Sequence, residues 1–449
     1  MSLDVVNKQK TSTAVETESP ARTTLSIDEL IIGRRTHSPI YDVKGVLLLA
    51  DNQVITSEIK ANLKNRAEGG RIQMDESDLS KVTLRNVEVK QVAKFQVDET
   101  LSRKIDMILD NGLMGVKNTG PSFSQSVVQH GRDGYDEEQT ERLAEQHAEN
   151  GKVLEELLTE ATNGKLTDCD AVAGMATLYL KEMSVDTDNV LTSAMGSHTP
   201  DDIAANSLES ALLAMALGIE MDFDAENIKN LGIAGLTHDW GMVHVPEELR
   251  NATHQLPRID RLQIEKHPIY SMEMLQAIPT VPKIVPLIVY QVHEKYNGGG
   301  YPRGRKGNSI PIFARIIAVA DIFISLTSPR PWRKAVTRYG AMECMLHLSR
   351  ERSLDPDVMR ALLRIQSLFP IGSFITLSNG SVARVIRANR KDYTKPIVQI
   401  IQNADGSTPD AQDDDAIIDL TDTELKVEQA LPTPGVDEIP FSTDLFSEV

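Results

Sequence analysis

Apolar and polar positions follow different rhythms along this chain. Residues 1–25 have no period; they are polar, rich in Thr and Ser, and predict a disordered start. From Ile27 short apolar runs alternate with turn signals. Tyr41 to Leu49 holds Lys44-Gly45 before an apolar run, and Ser57 to Leu63 is helix-like. β-like pieces follow at Arg71 to Met74, Val82 to Leu84 and Val87 to Val92. Together they predict a small α+β module over 26–100 that carries no chemical motif.

A helical period then takes over. Residues 101–149 read as a linker and an acidic helix, with Asp136 as cap and Gln139 as its capping-box partner. Val153, Leu154, Leu157, Leu158 and Ala161 form a core stripe at helical spacing. Thr199-Pro200-Asp201 is a helix start with Thr199 as cap, and the helix it opens buries Leu208, Leu212, Met215 and Ile219. Asp224 caps the next, which runs through Leu231 and Leu236 to His238-Asp239 and Gly241. Helices at Leu256 to Lys266, Pro282 to Lys295 and Ile310 to Leu326 complete an all-helical region over 150–367. At 368–404 the pattern becomes a small β module, with a type I′ hairpin expected at Asn379-Gly380 and a strand at Pro396 to Ile401. The tail, 405–449, is acidic and is expected to be flexible. The fold class is therefore mainly α, a helical bundle flanked by a small N-terminal α+β module and a small C-terminal β module.

Length and charge narrow the function. With 449 residues the chain exceeds what one core usually serves, and a net charge of -18 argues against a nucleic acid polymer or a membrane as partner. Only Cys169 and Cys344 occur, which excludes a disulfide framework and a Cys-based zinc motif. No signal peptide is evident and no uninterrupted apolar run reaches about 18 residues, so a cytoplasmic location is expected.

Against this acidic background one stretch is basic. From Pro282 to Gly340 there are ten Lys and Arg and two acids, Glu294 and Asp321. A basic island beside His293 suits a phosphate-bearing ligand, or else a solvated helical face. Asp321 falls on or beside the apolar stripe of its helix, where a carboxylate needs a metal, a catalytic use or an Arg partner. His238, Asp239, His267, His293 and Asp321 place three imidazoles and two carboxylates on four predicted helices, as helical bundles do when they build a dinuclear metal site.

The order His238-Asp239-Trp240-Gly241, His267-Pro268, His293-Glu294, Gly300-Tyr301-Pro302, Val319-Ala320-Asp321 and Ser328-Pro329-Arg330-Pro331-Trp332-Arg333-Lys334 resembles the HD-GYP family of bacterial phosphodiesterases over roughly 136–402. The resemblance implies an HD-type helical core, a divalent metal cofactor of one or two ions, Fe or Mn, and hydrolysis of cyclic di-GMP. It also implies roles. Asp239 would bridge the ions, with His238 and Asp321 on one and His267 and His293 on the other. Lys295, Arg330, Arg333 and Lys334 would neutralise phosphate, and the turn Gly300-Tyr301-Pro302 would approach the ligand closely.

Two departures matter. Asn206 and Val292 stand where the family carries further His ligands, so each ion would lack one. Glu294, His244 or Ser207 are candidates to complete the shells. Three readings follow: a signalling phosphodiesterase with a reduced metal centre, a catalytically degenerate regulator that binds a cyclic dinucleotide or a protein partner, and a phosphohydrolase acting on another phosphate compound.

Overall fold

The computed structural model describes residues 22–30, 36–53, 55–76, 79–82, 99–110, 116–166, 168–194, 202–254, 256–409 and 416–442. The chain forms two compact units, 1–92 and 93–449.

The first unit is a four-stranded antiparallel sheet with one helix of length. β1 (Arg22–Ser26), β2 (Ile40–Asp42) and β3 (Leu47–Leu49) precede α1 (Ser57–Arg66) and β4 (Arg71–Asp75), and the strand order is β1-β4-β2-β3. Thr24 lies opposite Gln73, which sends Leu25, Ile72 and Met74 into a core shared with Ile40 and Leu63. The Thr56 side chain caps α1 by accepting from Ile59 N. Two expectations change here. Arg22–Ser26 is a strand rather than part of a disordered start, and Val82 ends a short helix, α2 (Leu79–Val82), rather than beginning a β piece. The pieces expected at Val87 to Val92 lie outside the described residues.

The second unit is a helical bundle with a β module. Its helices are α3 (Glu99–Asp110), α4 (Glu137–Thr162), α5 (Asp170–Ala194), α6 (Ile203–Glu220), α7 (Ala225–Thr237), α8 (Glu247–Arg250), α9 (Arg258–Ile264), α10 (His267–Gln276), α11 (Ile284–Val289) and α12 (Ile312–Thr327). After β5 (Ala335–Val336) come α13 (Arg338–Arg350) and α14 (Pro356–Gln366). α6 is the axis. Among the described residues it is the one helix long and apolar enough to cross a membrane, yet 83% of it is buried as core. It packs chiefly against α7 and α12, the helices that lead to His238 and carry Asp321. The crossing with α7 is tight because Gly235 has no side chain; a Cβ there would lie 2.6 Å from the Ala211 Cα.

Several boundaries shift for identifiable reasons. The cap of α6 is Asp202, which accepts from Ala205 N, while Thr199 lies outside the described residues. α11 ends at Val289, so His293 sits on a turn and not on a helix. The bundle already includes α4 from Glu137, because Leu143, Leu154 and Leu158 belong to its core. The Asn379-Gly380 hairpin forms between β6 (Phe374–Leu377) and β7 (Val382–Arg387), but only Gly380 of the pair has a left-handed φ, +86°. Gly380 N donates to Leu377 O, so the turn is an ordinary β-turn closed by a left-handed glycine and not type I′.

The acidic tail is the largest difference. With β8 (Ile397–Gln402), the strands β9 (Ile417–Asp419) and β10 (Val427–Leu431) complete a five-stranded sheet of order β10-β6-β7-β8-β9. β11 (Glu438–Ile439) then pairs in parallel with β5 in the bundle. The sheet is also tied to α5. Arg387 is buried between Asp186, at 2.8 Å, and Asp188, at 3.3 Å, where α5 leaves helical geometry.

Candidate metal centre

Each candidate ligand of the centre is delivered by an element end or by one helix face. His238 follows the last turn of α7, and its Nδ1 donates to Gly235 O at 2.8 Å, leaving Nε2 to face the carboxylates of Asp239 and Asp321, each at 3.6 Å. His267 opens α10 ahead of Pro268, which suits a first helical turn, and its Nδ1 donates to Ile264 O at 2.8 Å. Its Nε2 lies 3.2 Å from Asp239 Oδ1 and 2.8 Å from His293 Nε2. His293 approaches Asp239 at 3.5 Å and Asp321 at 3.9 Å. Asp321 therefore faces imidazoles and not an Arg; Arg315 on the same helix pairs with Asp355 instead.

This arrangement calls for a cation. With the Nδ1 proton committed to a carbonyl, a neutral His238 would turn its Nε2 lone pair toward two carboxylates. Both His238 Nε2 and Asp239 Oδ1 are buried without a hydrogen-bond partner among the described residues. Burial disfavours the charged imidazole, yet Asp239 and Asp321 overcome it and hold His238 at about 9. Burial likewise opposes the Asp239 charge, but His238, His267 and His293 keep that carboxylate well below its ordinary range. His293 is pushed down by burial and by His267. The donor atoms fall into two groups that share Asp239, one with His267 and His293 and one with His238 and Asp321, each within 4.8 Å. Imidazole nitrogen mixed with carboxylate oxygen fits a divalent transition metal.

Residues of no obvious chemical interest hold these candidate ligands in place. Ser271 on α10 is buried, its Oγ accepts from Gly241 N at 2.7 Å, and the same hydroxyl donates to His238 O at 2.7 Å. Gly241 is required there, since a Cβ would lie 2.5 Å from Ser271 N. Tyr301 stacks on His293 with ring centroids 5.1 Å apart and planes 8° from parallel. Gly300 passes so close to the strand of chain at 293–295 that a Cβ would meet Glu294 Cα at 2.6 Å and collide with His293 O. Glu294 is no ligand; its oxygens accept from Arg303 N at 2.7 Å and Arg305 N at 2.8 Å, closing the loop that contains Tyr301-Pro302.

The basic residues divide by use. Arg333, in the turn after α12, reaches back to donate to Ser325 O and Leu326 O at the end of that helix and also donates to Lys334 O, so it caps the C-terminus of α12 and is not available to a phosphate. Lys334 pairs with Asp437, 2.7 Å away in the C-terminal segment. The Arg330 guanidinium has no partner among the described residues; its backbone pairs with Arg333. Lys295 is pushed below its ordinary value by burial and by Arg261 of α9, which also acts electrostatically on Tyr301. Arg261 was not singled out from sequence, because nothing in its local context marks it. His244 packs edge-on against Tyr270 and belongs to neither donor group. Val292 is fully buried in the apolar core. Asn206 donates from Nδ2 to Asp202 O at 2.7 Å, while its Oδ1 and Ser207 Oγ are buried with no hydrogen-bond partner among the described residues.

The chain is similar in sequence to known proteins over the region that holds this centre. Residues 189–358 match the HD domain model, and 374–427 match a KOW domain associated with HD domains. A cyclic di-GMP phosphodiesterase of Pseudomonas aeruginosa is 27% identical over 234 residues, 52% of this chain and 55% of that protein. A cyclic di-GMP phosphodiesterase response regulator of Xanthomonas campestris is 33% identical over 34% of this chain and 40% of its own length. A 3'3'-cGAMP-specific phosphodiesterase of Vibrio cholerae is 34% identical over 35% and 37% respectively. The chain thus spans from about a third to just over half of these relatives. A solved HD-GYP-type protein of Bdellovibrio bacteriovorus is similar at 17% identity and a TM-score of 0.37, covering 76% of this chain and 98% of that one. Residues 189–358 are thus similar to the HD domain, and the segment that follows is similar to the KOW domain associated with it.

Proposed function

We propose that the centre is a metal-dependent phosphodiesterase site for a cyclic dinucleotide of the cyclic di-GMP and 3'3'-cGAMP class. The observation that carries this reading is the pair of donor groups sharing Asp239, with a buried His238 Nε2 that has no hydrogen-bond partner among the described residues. His238, Asp239 and Asp321 would hold one ion and Asp239, His267 and His293 the other, with Fe or Mn suited to the donor set. Bound there, a divalent metal supplies Lewis-acid polarisation of the phosphoryl group and activation of water. The Gly235 and Ile264 carbonyls take the Nδ1 protons of His238 and His267, so that Nε2 would be the ligating atom in both. Tyr301 walls one side of His293, and Gly300 lets backbone pass close to the ligand. Lys295, Arg261 and Arg330 would neutralise phosphate; the electrostatic influence of Arg261 on Lys295 and Tyr301 supports its inclusion. Asn206 Oδ1 is a weak neutral donor in place of an imidazole, and Val292 contributes none.

The test is metal analysis of the purified chain before and after loading with Mn or Fe, followed by chromatography of cyclic di-GMP and 3'3'-cGAMP reactions. Metal-dependent opening of the phosphodiester is expected, and Asp239→Asn should abolish it together with metal uptake. Full metal loading with nucleotide binding but no turnover would replace this reading with a regulator. Absence of nucleotide binding would point to a protein partner, and turnover of another phosphate compound alone would move the substrate class.

A further inference from the structure

Arg303 and Arg305 are held from two directions. Their backbone N–H groups donate to Glu294, while their guanidinium groups meet at Asp106 of α3, with Arg303 at 2.6 Å and Arg305 at 3.2 Å. Arg303 Nε also donates to the Tyr290 hydroxyl at 2.9 Å. Beside this polar contact, Ile105 and Leu109 of α3 bury themselves against Met272 of α10 and Tyr290. Met272 directly follows Ser271, which ties down His238 and Gly241. One side of α3 therefore reaches both the loop carrying Tyr301 and the helix that positions the His-Asp turn. This helix lies before the HD match and begins only seven positions after the first unit ends at 92.

We propose that α3 is a positioning element of the metal centre, with Asp106 the residue that holds the loop 297–307 so that Tyr301 stays stacked on His293. Exposed ion pairs contribute little, but this one is shared by two guanidinium groups and is only 18% exposed at Asp106 and 11% at Arg305. Its removal takes away the carboxylate shared by the two guanidinium groups and leaves the loop to Glu294, to the Arg303–Tyr290 contact and to backbone bonds such as Tyr301 N to His293 O and Gly307 N to Tyr296 O. Any event that undocks α3 thereby loosens the loop.

Hydrogen exchange of the full metal-free chain tests this without assuming any activity. Asp106→Asn should make amides of 297–307 exchange about tenfold faster, as expected for losing a partly buried charge-assisted contact. Leu109→Ala should reproduce the effect from the apolar side, and Asp106→Glu should preserve slow exchange. If α3 loses protection in these variants while the loop keeps its own, the proposal is wrong. In metal-loaded protein, which rests on the functional reading above, Asp106→Asn should raise KM for the cyclic dinucleotide about tenfold and leave kcat within about twofold. A wild-type chain that binds no cyclic dinucleotide would remove that reading and leave the exchange result to decide the role of α3.

Discussion

Ser271→Ala is the sharpest test of how this centre is assembled. The hydroxyl is buried, accepts from Gly241 N and donates to His238 O, both at 2.7 Å. Alanine removes no packing volume of consequence but leaves one backbone donor and one acceptor in a site closed to water, since Gly241 fits against Ser271 with no room for a side chain. At roughly 1–3 kcal/mol for each of the two unsatisfied buried groups, the larger unit should lose about 2–6 kcal/mol. The same loss frees the turn bearing His238 and Asp239, so metal affinity should fall about 10- to 100-fold, the usual size of an outer-shell effect. Trp240 is buried in that turn, whereas Trp332 is 41% exposed, so a Trp332→Phe background makes Trp240 fluorescence a local probe of unfolding. Denaturant titration and metal competition in that background provide both numbers. A stability loss below about 0.5 kcal/mol with unchanged metal affinity would refute the argument, because it would mean that these two groups find water or other partners without Ser271.

Three further outcomes are expected. Gly300→Ala should leave the bundle folded but displace the loop, and calorimetry should register loss of cyclic-dinucleotide affinity with little change in melting temperature. Arg330→Ala and Arg333→Ala should separate: the first weakens phosphate binding without changing stability, while the second lowers stability by about 1–2 kcal/mol through the freed α12 carbonyls. Burial holds His147 near 4, below its ordinary 6.5, and the folded state therefore binds fewer protons than the unfolded state between those values. Stability should fall by at most about 3 kcal/mol as pH drops from about 6.5 to about 4, and His147→Gln should flatten that slope in pH-dependent denaturation.

What could be read from sequence was whatever has a local signature. The apolar period around Leu208 to Ile219 and Ile317 to Ile324 marks the core helices, Asp321 stands out as a carboxylate on or beside an apolar stripe, and His238-Asp239 at a helix end gains weight only in combination with His267, His293 and Asp321. Cap residues such as Asp136 and Asp224 are equally local, and both accept from the third residue on. Residues that act by long-range contact left no such mark. Ser271 is one serine among many until its helix lies against the turn at Gly241, and Asp106 meets Arg305 across 199 positions. Charge counting failed at Arg333 for a related reason: a guanidinium that folds back onto carbonyls and one that faces a ligand have the same sequence. The tail misled because its strands are short and nowhere fully buried, so their sequence carries no alternation and only pairing with β6, β8 and β5 reveals them.

The return of the chain to the bundle through β11 bears on how this protein can be divided. Ile439 accepts from Thr337 N, and Phe441 runs alongside Gly340, about a hundred positions earlier. Sequence matches end the KOW domain at 427, in the first residue of β10. A cut there would unzip one edge of the sheet and bare the β5 edge of the neighbouring domain. Shuffling by recombination, or excision for expression, would have to carry residues through 442 as a single cassette, because the stitching that closes the first domain is encoded after the second.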